Sequence, residues 1–471
     1  MRVLLVNPKS SLPIDTRVSP SLGLAYLAAV SERRGDEVRI HDGDIEDVRI
    51  QEIARQFKPD LIGITANTTQ VMSAWKEAAL IKEVAGDAPI VLGGPHPTVL
   101  PHESAALPQI DLVARGEGEA TWEELSERLA DGKDWRGVAG LTYRHDDEII
   151  DEPDRGTLDL SQLPRPAYHL FNMDRYTNLQ PATDRVDGFS FPIMTSRGCP
   201  YRCSYCSQIM ERRWRMRSAE DVVSEWEWLV RDLGAAEIGV LDDSFNINRK
   251  RVLEICDLLI ERKLTHVPWI MINGIRANLA DEEMLGKMRM AGCIRTAFGV
   301  ESGNQEILDS VIHKQLTLEQ VRSAFAAAKA VGMETIGFFM VGMPGETEQT
   351  MEETIQFACE LDPLVANFSI ATPFPGTEMY DTVKQNGRIL ADNWDDFVFF
   401  EGKARFEYPN LPAELVERKW KEAHRRFYLR PHRVIKTLGR KQTWLDLPRT
   451  IRMAWRTIMS TSDSHAGGDP H

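Results

Sequence analysis

Short apolar runs alternate with amphipathic stretches along most of the chain, and this alternation limits the possible folds more than any other feature. In the first 120 residues the runs predict five strands: Val3–Asn7, Val38–Asp42, Leu61–Thr65, Ile90–Gly94 and Leu112–Arg115. Strands that are apolar on both faces are typical of a parallel sheet with helices on both sides. The sequence therefore predicts an α/β fold that starts with a doubly wound parallel sheet, whose ligands bind outside the carboxyl ends of the strands.

A second alternating series begins near residue 191 and predicts a partial (β/α)6 barrel with its site at the carboxyl ends of the strands. The six strands are predicted at Pro192–Ser196, Glu237–Asp242, Trp269–Asn273, Thr296–Glu301, Thr335–Val341 and Asn367–Ala371. The last 70 residues carry few strand signals and predict a C-terminal helical region. The expected boundaries are 1–135 for the first domain, 136–190 for a linker region, 191–400 for the barrel, and 401–471 for helices that end in a disordered tail.

Composition limits the cellular setting and the partners of the protein. The net charge of −15 argues against a nucleic-acid partner. No apolar stretch reaches the roughly 18 residues that a membrane-spanning helix needs, and no secretory signal is recognisable. Six cysteines in 471 residues, three of them within eight positions, do not suggest a secreted disulfide framework. We therefore expect a cytoplasmic protein with reduced thiols.

The three clustered cysteines are the clearest chemical signal. Cys199, Cys203 and Cys206 have the spacing C-x3-C-x2-C and follow the first strand of the second series, where a barrel places its chemistry. Three thiolates on one loop can each hold one iron of a [4Fe–4S] cubane and leave the fourth iron open. A structural zinc site would need a fourth ligand, and no further Cys or His lies within several residues. The alternatives are a zinc loop or three unrelated thiols.

With Tyr205 just before the last cysteine, this segment resembles the signature of the radical S-adenosylmethionine (SAM) superfamily. The resemblance covers roughly residues 190–380 and implies that Cys199, Cys203 and Cys206 bind a [4Fe–4S] cluster whose open iron chelates SAM. It also implies reductive cleavage of SAM to a 5′-deoxyadenosyl radical, with the electron supplied by a reductant such as flavodoxin or ferredoxin. The protein's task would be to position the reacting atoms and exclude water.

Further segments match the family at the ends of later barrel strands. Asp242 and Asp243 stand where the family holds the methionine amino group, although the usual glycines are absent. Glu301 and Ser302 lie in a segment similar to the one that contacts the ribose, and Gly342 begins a glycine-rich segment similar to the one near the adenine. The resemblance implies that these residues, together with Tyr205, bind SAM. The alternative roles are a capping or salt-bridge carboxylate for Glu301 and simple turn formation for Gly342.

A doubly wound domain ahead of such a barrel resembles the cobalamin-binding subclass of the superfamily. The matching segments are Pro20–Ala29, Gly93–Pro97 and Arg115–Glu119. A corrin is a wide plate that lies on strand ends, and its nucleotide tail needs a groove with little side-chain bulk. The resemblance then implies cobalamin-binding positions that combine glycines, hydroxyls and two other polar side chains: Thr65, Thr68, Thr69, Gly93, Gly94, His96, Gly116, Glu117 and Gly118.

The lower cobalt ligand is one departure from the wider group of cobalamin proteins. Many of them carry Asp-x-His-x-x-Gly after the first strand, but here that loop reads Asn7-Pro8-Lys9-Ser10-Ser11 and has no histidine. We therefore expect cobalamin to bind without a protein histidine ligand. His96 is the nearest candidate by location, with a loop histidine bonded to backbone as its alternative role. The domain as a whole could also be a remnant that binds nothing or recognises a partner.

The resemblance leads to a radical SAM enzyme that transfers a methyl group from cobalamin to an unactivated carbon of a small-molecule or lipid substrate. The family also contains anaerobic cyclases and ring-modifying enzymes that act on tetrapyrroles or hopanoid-type lipids, and this alternative stays open. A non-catalytic cobalamin or iron–sulfur sensor is the alternative from another class. A sensor has no need of an open iron, so the intact cysteine loop argues against it.

The C-terminal region differs from the rest of the chain in charge. Residues 403–456 contain 15 Lys and Arg against 5 Asp and Glu, a local charge of +10. Trp444, Leu447, Ile451, Trp455 and Ile458 recur at helical spacing and predict a basic amphipathic helix. Such a helix can pack on its own barrel, which we favour, or lie on an anionic membrane surface.

Overall fold

The computed structural model of the protein describes residues 1–10, 19–176, 188–207, 209–210, 212–398 and 401–439. The N-terminal part forms a seven-stranded sheet flanked by helices. Its strands are β1 Arg2–Asn7, β2 Glu37–Asp42, β3 Leu61–Thr65, β4 Ile90–Gly93, β5 Leu112–Ala114, β6 Leu141–His145 and β7 Glu148–Asp151. Its helices are α1 Leu22–Arg33, α2 Ile50–Phe57, α3 Val71–Lys82, α4 Pro95–Val99, α5 Pro101–Ala105 and α6 Gly118–Ala130.

The strand order of this sheet is β2-β1-β3-β4-β5-β6-β7. The first five strands pair in parallel, which confirms the predicted doubly wound sheet, and their order reverses between β1 and β3, where such folds bind ligands. Strands β6 and β7 add an antiparallel hairpin at one edge. The sheet therefore runs to Asp151 and takes in the first part of the segment that the sequence predicted as a linker from 136.

Both faces of this sheet are buried, as apolar residues on both sides of its strands require. In β1, Val3 and Leu5 enter one apolar cluster with helices α1 and α6, and Leu4 and Val6 enter another with α2 and α3. All four side chains have no exposed surface. A strand covered on both faces cannot alternate polar and apolar residues, which explains why its sequence is a continuous apolar run.

The second part of the chain forms a six-stranded parallel sheet, the predicted partial barrel. Its strand order is β8-β11-β12-β13-β14-β15, so each βα unit adds one strand beside the strand of the preceding unit. The strands of this part are β8 Phe189–Ile193, β9 Ser196–Arg197, β10 Arg215–Met216, β11 Ala235–Val240, β12 Trp269–Met271, β13 Cys293–Glu301, β14 Glu334–Val341, β15 Val365–Ile370, β16 Arg388–Ile389 and β17 Phe406–Glu407. The short pairs β9–β10 and β16–β17 lie outside the main sheet.

Helices cover the outer face of the barrel and continue into the C-terminal region. They are α7 Ala219–Arg231, α8 Arg249–Glu261, α9 Glu282–Met290, α10 Leu318–Ala330, α11 Glu348–Leu361, α12 Glu378–Asn386, α13 Ala413–Tyr428 and α14 Pro431–Leu438. From α7 to α12, each helix begins after a residue whose side-chain oxygen accepts a hydrogen bond from a first-turn amide: Ser218, Asn248, Asp281, Thr317, Thr347 and Thr377. Such N-caps fix where each helix starts and therefore how long each strand-end loop is.

Helix α13 packs along the edge strand β15. The Trp420 indole donates a hydrogen bond to the carbonyl of Phe368 (2.8 Å), and the Tyr428 hydroxyl donates one to the carbonyl of Ala366 (2.9 Å). The amphipathic helix predicted around Trp444 to Ile458 lies outside the described residues. In the described part of the chain, we find no helix with the length and apolar character needed to cross a bilayer.

Candidate active site

A cavity of about 610 Å³ lies at the carboxyl ends of the barrel strands, within the roughly 300–1,000 Å³ that is usual for small-molecule sites. Every strand of the barrel contributes to its wall, either directly or through the loop that follows the strand. The residues that line it include Cys199, Tyr201, Cys203, Tyr205, Cys206, Asp243, Arg276, Glu301, Lys314, Phe338, Met340, Thr372 and Phe374. Residues far apart in sequence are thus brought to one site by parallel strands that end at the same level.

The cysteine loop leaves β8 through a short segment that is anchored at its base. The buried Asp242 carboxylate accepts hydrogen bonds from the Thr195 amide (2.6 Å), the Thr195 hydroxyl (2.5 Å) and the Ser196 hydroxyl (2.5 Å). Farther along, the Ser204 amide and hydroxyl donate to the carbonyls of Ile312 and Val311. These contacts fix both the start and the middle of the loop, so the thiols project from a positioned backbone.

The three thiols of this loop face the cavity, and each is free of a disulfide. Burial, together with like-charge repulsion from the neighbouring Cys203 and Cys199, raises the pKa of the Cys206 thiol to about 12. Burial also raises the pKa of Cys203, against the opposing charge of Lys314. Thiolates crowded in this way favour binding to cationic iron, because the metal replaces the proton and removes the repulsion.

The residues present fit a [4Fe–4S] cluster, in which each thiolate binds a different iron atom. Within the described ranges, no three His, Cys, Asp or Glu side chains surround a common point as ligands of one ion would. The assignment of Cys199, Cys203 and Cys206 to a cluster stays a prediction from the sequence, and the geometry places the three thiols on one cavity wall.

The buried Glu301 and Lys314 form a polar group with Tyr205 of the cysteine loop in the wall of the cavity. The carboxylate oxygen Oε1 of Glu301 accepts hydrogen bonds from the Tyr205 hydroxyl (2.9 Å) and from Nζ of Lys314 (2.7 Å). Burial alone would lower the pKa of Lys314, but the Glu301 carboxylate outweighs it and holds that pKa above its ordinary value. Lys314 is therefore a fixed cation inside the cavity. A Cβ at Gly299 would lie 2.6 Å from the Glu301 carboxylate, so this group also requires a glycine beside it.

The backbone around this group is strained, which is often the mark of a functional site. Glu301 has φ +68°, and the residues that flank Lys314, namely His313 and Gln315, have φ +57° and +53°. The Arg276 guanidinium donates to the carbonyls of Lys314 (2.7 Å) and Gln315 (3.0 Å), and it stacks 3.5 Å from the ring centre of Tyr201. Arg276 thus joins the lysine segment to the cysteine loop.

Sequence reasoning missed both Lys314 and Arg276. Neither lies in a recognisable short motif, and only their position just beyond a barrel strand could have drawn attention to them. Their importance follows from the topology, which brings the ends of β12 and β13 against the cysteine loop.

The two neighbouring aspartates that the sequence proposed for SAM are separated by the structure. Asp243 lines the cavity and accepts a hydrogen bond from the Gly198 amide (3.2 Å), and burial raises the pKa of its carboxyl. The side chain of Asp242 points away from the cavity because its carboxylate binds Thr195 and Ser196. We therefore correct the prediction for this pair and keep Asp243 alone as a candidate for cofactor contact.

Ser302 and Gly342 are also engaged in packing rather than in the cavity wall. The Ser302 hydroxyl lies 3.2 Å from that of Thr354 on α11, and Ser302 is buried against this helix. Gly342 has φ +85°, and a Cβ there would lie 2.5 Å from Val416 of α13. Its glycine-rich turn is held by Glu346, whose buried carboxylate accepts from the amides of Gly342 and Met343. Contact of these two residues with SAM stays a prediction, and in the structure Ser302 packs against a helix while Gly342 belongs to a turn.

At the carboxyl ends of the N-terminal strands, only some of the predicted cobalamin-binding positions are open to a ligand. Gly93 and Thr65 are partly exposed there, and Gly94 has φ +100° and packs against the backbone of Ala66, which only glycine allows. Thr68 is buried, and the Thr69 hydroxyl donates to the side-chain carbonyl of Asn67 (2.8 Å). Thr65 and Gly93 thus keep partly open positions for a ligand, whereas Thr68 contacts His96 and Thr69 has a partner within its own loop.

His96 is not placed to ligate a metal. Its Nδ1 lies 3.2 Å from the Thr68 hydroxyl and its Nε2 lies 3.4 Å from Glu103, and its ring is buried against Trp394 at 4.9 Å between centres. Both ring nitrogens therefore have partners, and a tryptophan from the second half of the chain covers the ring. These contacts are those of a buried structural histidine, and a role of His96 in cobalamin binding stays a prediction.

The segment Gly116–Gly118 divides into open and engaged positions. Gly116 is exposed with φ +72°, and no atom lies within 4 Å of the place of a Cβ, which fits close approach by a flat ligand. Gly118 begins α6 and contacts Leu27. Glu117 forms ion pairs with Arg215 (2.6 Å) and Arg197 (3.3 Å) that join the two halves of the chain, and its contact with a cofactor stays a prediction.

The loop after β15 connects the cavity to the N-terminal strand ends. Thr372 and Phe374 line the cavity, and two residues farther on a Cβ at Gly376 would overlap the side chain of Val99 at the end of α4. Helix α4 directly follows Gly93 and Gly94. The barrel site and the strand ends of the first sheet are therefore neighbours across one short loop.

Two family models match the chain. The Radical SAM superfamily model matches residues 193–358, and the B12 binding domain model matches residues 17–126. An uncharacterized methyltransferase of Pyrococcus horikoshii, PH0819, is 36% identical over 463 residues, which cover 96% of this chain and 97% of that protein. The anaerobic magnesium-protoporphyrin IX monomethyl ester cyclase of Rubrivivax gelatinosus is 31% identical over 430 residues, covering 89% of this chain and 75% of that protein.

The fold is also similar to a solved structure. The radical S-adenosylmethionine methyltransferase TsrM from Kitasatospora setae, solved with cobalamin and a [4Fe–4S] cluster bound, superimposes with a TM-score of 0.71 at 22% identity. The match covers 92% of this chain and 89% of that chain. At this level of identity the likeness describes the fold, including the order of a doubly wound sheet followed by a partial barrel.

Proposed function

Because the chain belongs to the radical SAM superfamily, in the subclass that carries a B12-binding domain, we propose that it is a cobalamin-dependent methyltransferase. Its cofactors are a [4Fe–4S] cluster, SAM and cobalamin. The observation that carries the proposal is the position of the three cysteines: they line a cavity that one loop joins to the strand ends of the B12-binding domain. An enzyme that combines the two cofactors needs them close together.

In this proposal Cys199, Cys203 and Cys206 each bind one iron of the cluster. The buried cation Lys314 would bind the carboxylate of the methionine part of SAM, and Asp243 its amino group, because opposite charges attract strongly in a cavity with little water. Glu301 holds Lys314 in place through the 2.7 Å hydrogen bond described above, and the Tyr205 hydroxyl positions the Glu301 carboxylate through the 2.9 Å one. Arg276 holds the cysteine loop and the segment around Lys314 in place relative to each other.

The bound cofactors supply a 5′-deoxyadenosyl radical and a methyl group, and the chain positions both and excludes water. Thr65, Gly93 and Gly116 remain the candidates for contact with the cobalamin. The surface there is shaped by backbone and small side chains, which suits a wide flat ligand. Both ring nitrogens of His96 have partners, so His96 is not proposed as a ligand of the cobalt.

The test is anaerobic reconstitution of the full chain with iron, sulfide and cobalamin, followed by reduction in the presence of SAM. We expect 5′-deoxyadenosine, which reports on the cluster. We also expect S-adenosylhomocysteine, which reports on transfer of the methyl group of SAM to reduced cobalamin and needs no substrate. Deoxyadenosine without homocysteine nucleoside would contradict methyl transfer, and neither product would contradict radical SAM activity.

A second candidate function is oxidative ring closure, which the 31% identity to the cyclase of Rubrivivax gelatinosus favours. A cyclase would form deoxyadenosine but no S-adenosylhomocysteine, so the same experiment separates the two functions. A non-catalytic sensor would form neither product and would still bind cobalamin or a cluster.

The cavity wall supports an apolar substrate, a small molecule or a lipid. Phe338, Met340 and Phe374 line the cavity, and none of them carries a charge. The electron would come from a small redox protein such as a flavodoxin or ferredoxin. We also propose that the protein works in the cytoplasm, where the three thiols stay reduced.

Contact with a membrane surface belongs to the same proposal. The side chains of Val434 and Ile435 on α14 are 40% and 71% exposed, which is unusual for aliphatic residues on a helix. They lie in the region 403–456 with its local charge of +10. A helix that is both basic and apolar suits an anionic lipid surface, from which a lipid substrate could enter.

A further inference from the structure

The cysteine loop is closed at its neck by a very short antiparallel pair of strands. Strand β9, Ser196–Arg197, pairs with β10, Arg215–Met216, and the loop between them carries all three clustered cysteines. Two residues on each strand give too few hydrogen bonds to hold such a ribbon by themselves, since isolated two-stranded ribbons are marginal in water. Something outside the ribbon must therefore keep the neck closed.

The pairing in this neck places two positive charges opposite each other. Arg197 and Arg215 are direct cross-strand partners, and both guanidinium groups are nearly buried, at 4% and 11% exposure. Like charges directly opposite on adjacent strands destabilise the pairing, and burial strengthens their repulsion. The neck can form only if negative charge is brought to both arginines.

That negative charge comes from the other half of the chain. Glu119 accepts from Nη2 of Arg197 at 2.6 Å, and Glu117 accepts from Nη2 and Nη1 of Arg215 at 2.6 and 2.9 Å. Glu117 also lies 3.3 Å from Arg197, so it bridges the two arginines. Both carboxylates lie at the start of α6, where the partial positive charge of a helix N-terminus attracts negative charge.

We propose that Glu117 and Glu119 are positioning residues for the cysteine loop. By neutralising Arg197 and Arg215 they hold the neck of the loop closed, so the shape of the cluster-binding loop depends on the docked N-terminal domain. Glu117 directly follows Gly116, a position that is open to a ligand. A ligand bound at that strand end is therefore connected to the cysteine loop through Glu117. The role in cluster binding rests on the proposed function, whereas the role in closing the neck does not.

The test uses the full-length, metal-free chain and hydrogen–deuterium exchange of the peptides that span 195–217. Glu117→Gln and Glu119→Gln each remove one compensating charge with little change of shape. We expect about tenfold faster exchange of the neck amides in both variants, because local opening exposes the ribbon. Glu124→Gln is the matched control: Glu124 lies on the same helix and pairs with Arg128 and Arg155 inside the N-terminal part, so exchange at 195–217 should stay unchanged.

A charge-rescue variant separates repulsion from simple loss of a contact. Arg215→Met removes one of the opposed charges, and combined with Glu117→Gln it should return the exchange rate close to that of the wild type. If Glu117→Gln alone does not fold, this double variant, in which the charges balance, still tests the proposal by the same exchange measurement. Exchange in Glu117→Gln and Glu119→Gln equal to that of Glu124→Gln would overturn the proposal, and so would a double variant that opens as fast as Glu117→Gln.

Iron retention gives a second readout on reconstituted protein. Glu119→Gln should lose iron to a chelator several-fold faster than Glu124→Gln does, because an open neck exposes the cluster. If wild-type protein binds no cluster at all, the proposed function fails while the exchange experiment still decides the role of the two glutamates. If the cluster binds and all variants retain it equally, the role in cluster binding is wrong.

Discussion

Lys314 and Glu301 form an ion pair in the wall of the cavity, with Nζ and Oε1 2.7 Å apart and both side chains at most 10% exposed. Each partner depends on the other, because a buried charge without a partner is strongly unfavourable. The pair contacts the cysteine loop, since the Tyr205 hydroxyl donates a hydrogen bond to Oε1 of Glu301 (2.9 Å). It therefore couples the stability of the barrel to the cation that we propose for SAM binding.

Loss of Lys314 alone should destabilise the protein more than loss of the whole pair. We expect Lys314→Met to lower the free energy of unfolding by about 3–5 kcal/mol, because it leaves the Glu301 carboxylate buried and unpaired. Adding Glu301→Gln should recover most of this loss. Urea unfolding of the metal-free chain measures both. A double variant as unstable as Lys314→Met would show that the ion pair is not the reason.

Removal of any one clustered cysteine should abolish the cluster. Cys199→Ala, Cys203→Ala and Cys206→Ala each take away the only protein ligand of one iron, so we expect loss of the iron–sulfur absorbance and of bound iron after anaerobic reconstitution. Cys359→Ala is the control, because Cys359 is isolated and half-buried on α11. Full cluster content in any of the three variants would contradict the assignment of that thiol.

Two glycines of one turn should respond differently to alanine. Gly342 and Gly345 have nearly the same backbone, φ +85° and +88°, but a Cβ at Gly342 would lie 2.5 Å from Val416, and one at Gly345 would lie 3.6 Å from Val311. Gly345→Ala should cost about 1 kcal/mol for the strained backbone. Gly342→Ala should cost about 1–3 kcal/mol more, since it also forces α13 outward. Thermal unfolding of the metal-free chain distinguishes them, and equal losses would show that α13 yields without cost.

Glu346 should make stability depend on pH. Burial raises the pKa of its carboxyl to about 7, against the amides of Met343 and Gly342, which favour the charged form. A raised pKa means that the folded chain holds the proton more tightly, so the stabilisation is complete below the unfolded value near 4.5 and is lost as the pH rises through about 7.

Glu346→Gln removes this titration and keeps an oxygen that can accept from both amides. From pH 5 to pH 8, wild-type protein should lose about 2–3 kcal/mol of unfolding free energy relative to Glu346→Gln. Urea unfolding at several pH values gives the difference. A difference that is constant with pH would mean that Glu346 is already ionised at pH 5.

The recognisable part of the site could be predicted from local sequence, and the rest could not. The cysteines are three residues of one loop with one chemical purpose, so their spacing carries the information. Asp242 and Asp243 are adjacent and both acidic, yet the turn after β11 directs one side chain to Thr195 and Ser196 and the other into the cavity. The same holds for Glu117, whose partners lie 80 and 98 positions away at Arg197 and Arg215.

The sequence by itself determined the two α/β parts, the parallel order of their strands and the cysteine loop, because apolar periodicity and cysteine spacing act over a few residues. Only the tertiary structure decided that Lys314 and Arg276 enter the cavity, that His96 is buried under Trp394, and that the acidic start of α6 closes the cysteine loop. The physical reason is distance along the chain. Contacts between residues tens to hundreds of positions apart depend on how strand ends and domains come together, and no local pattern records that.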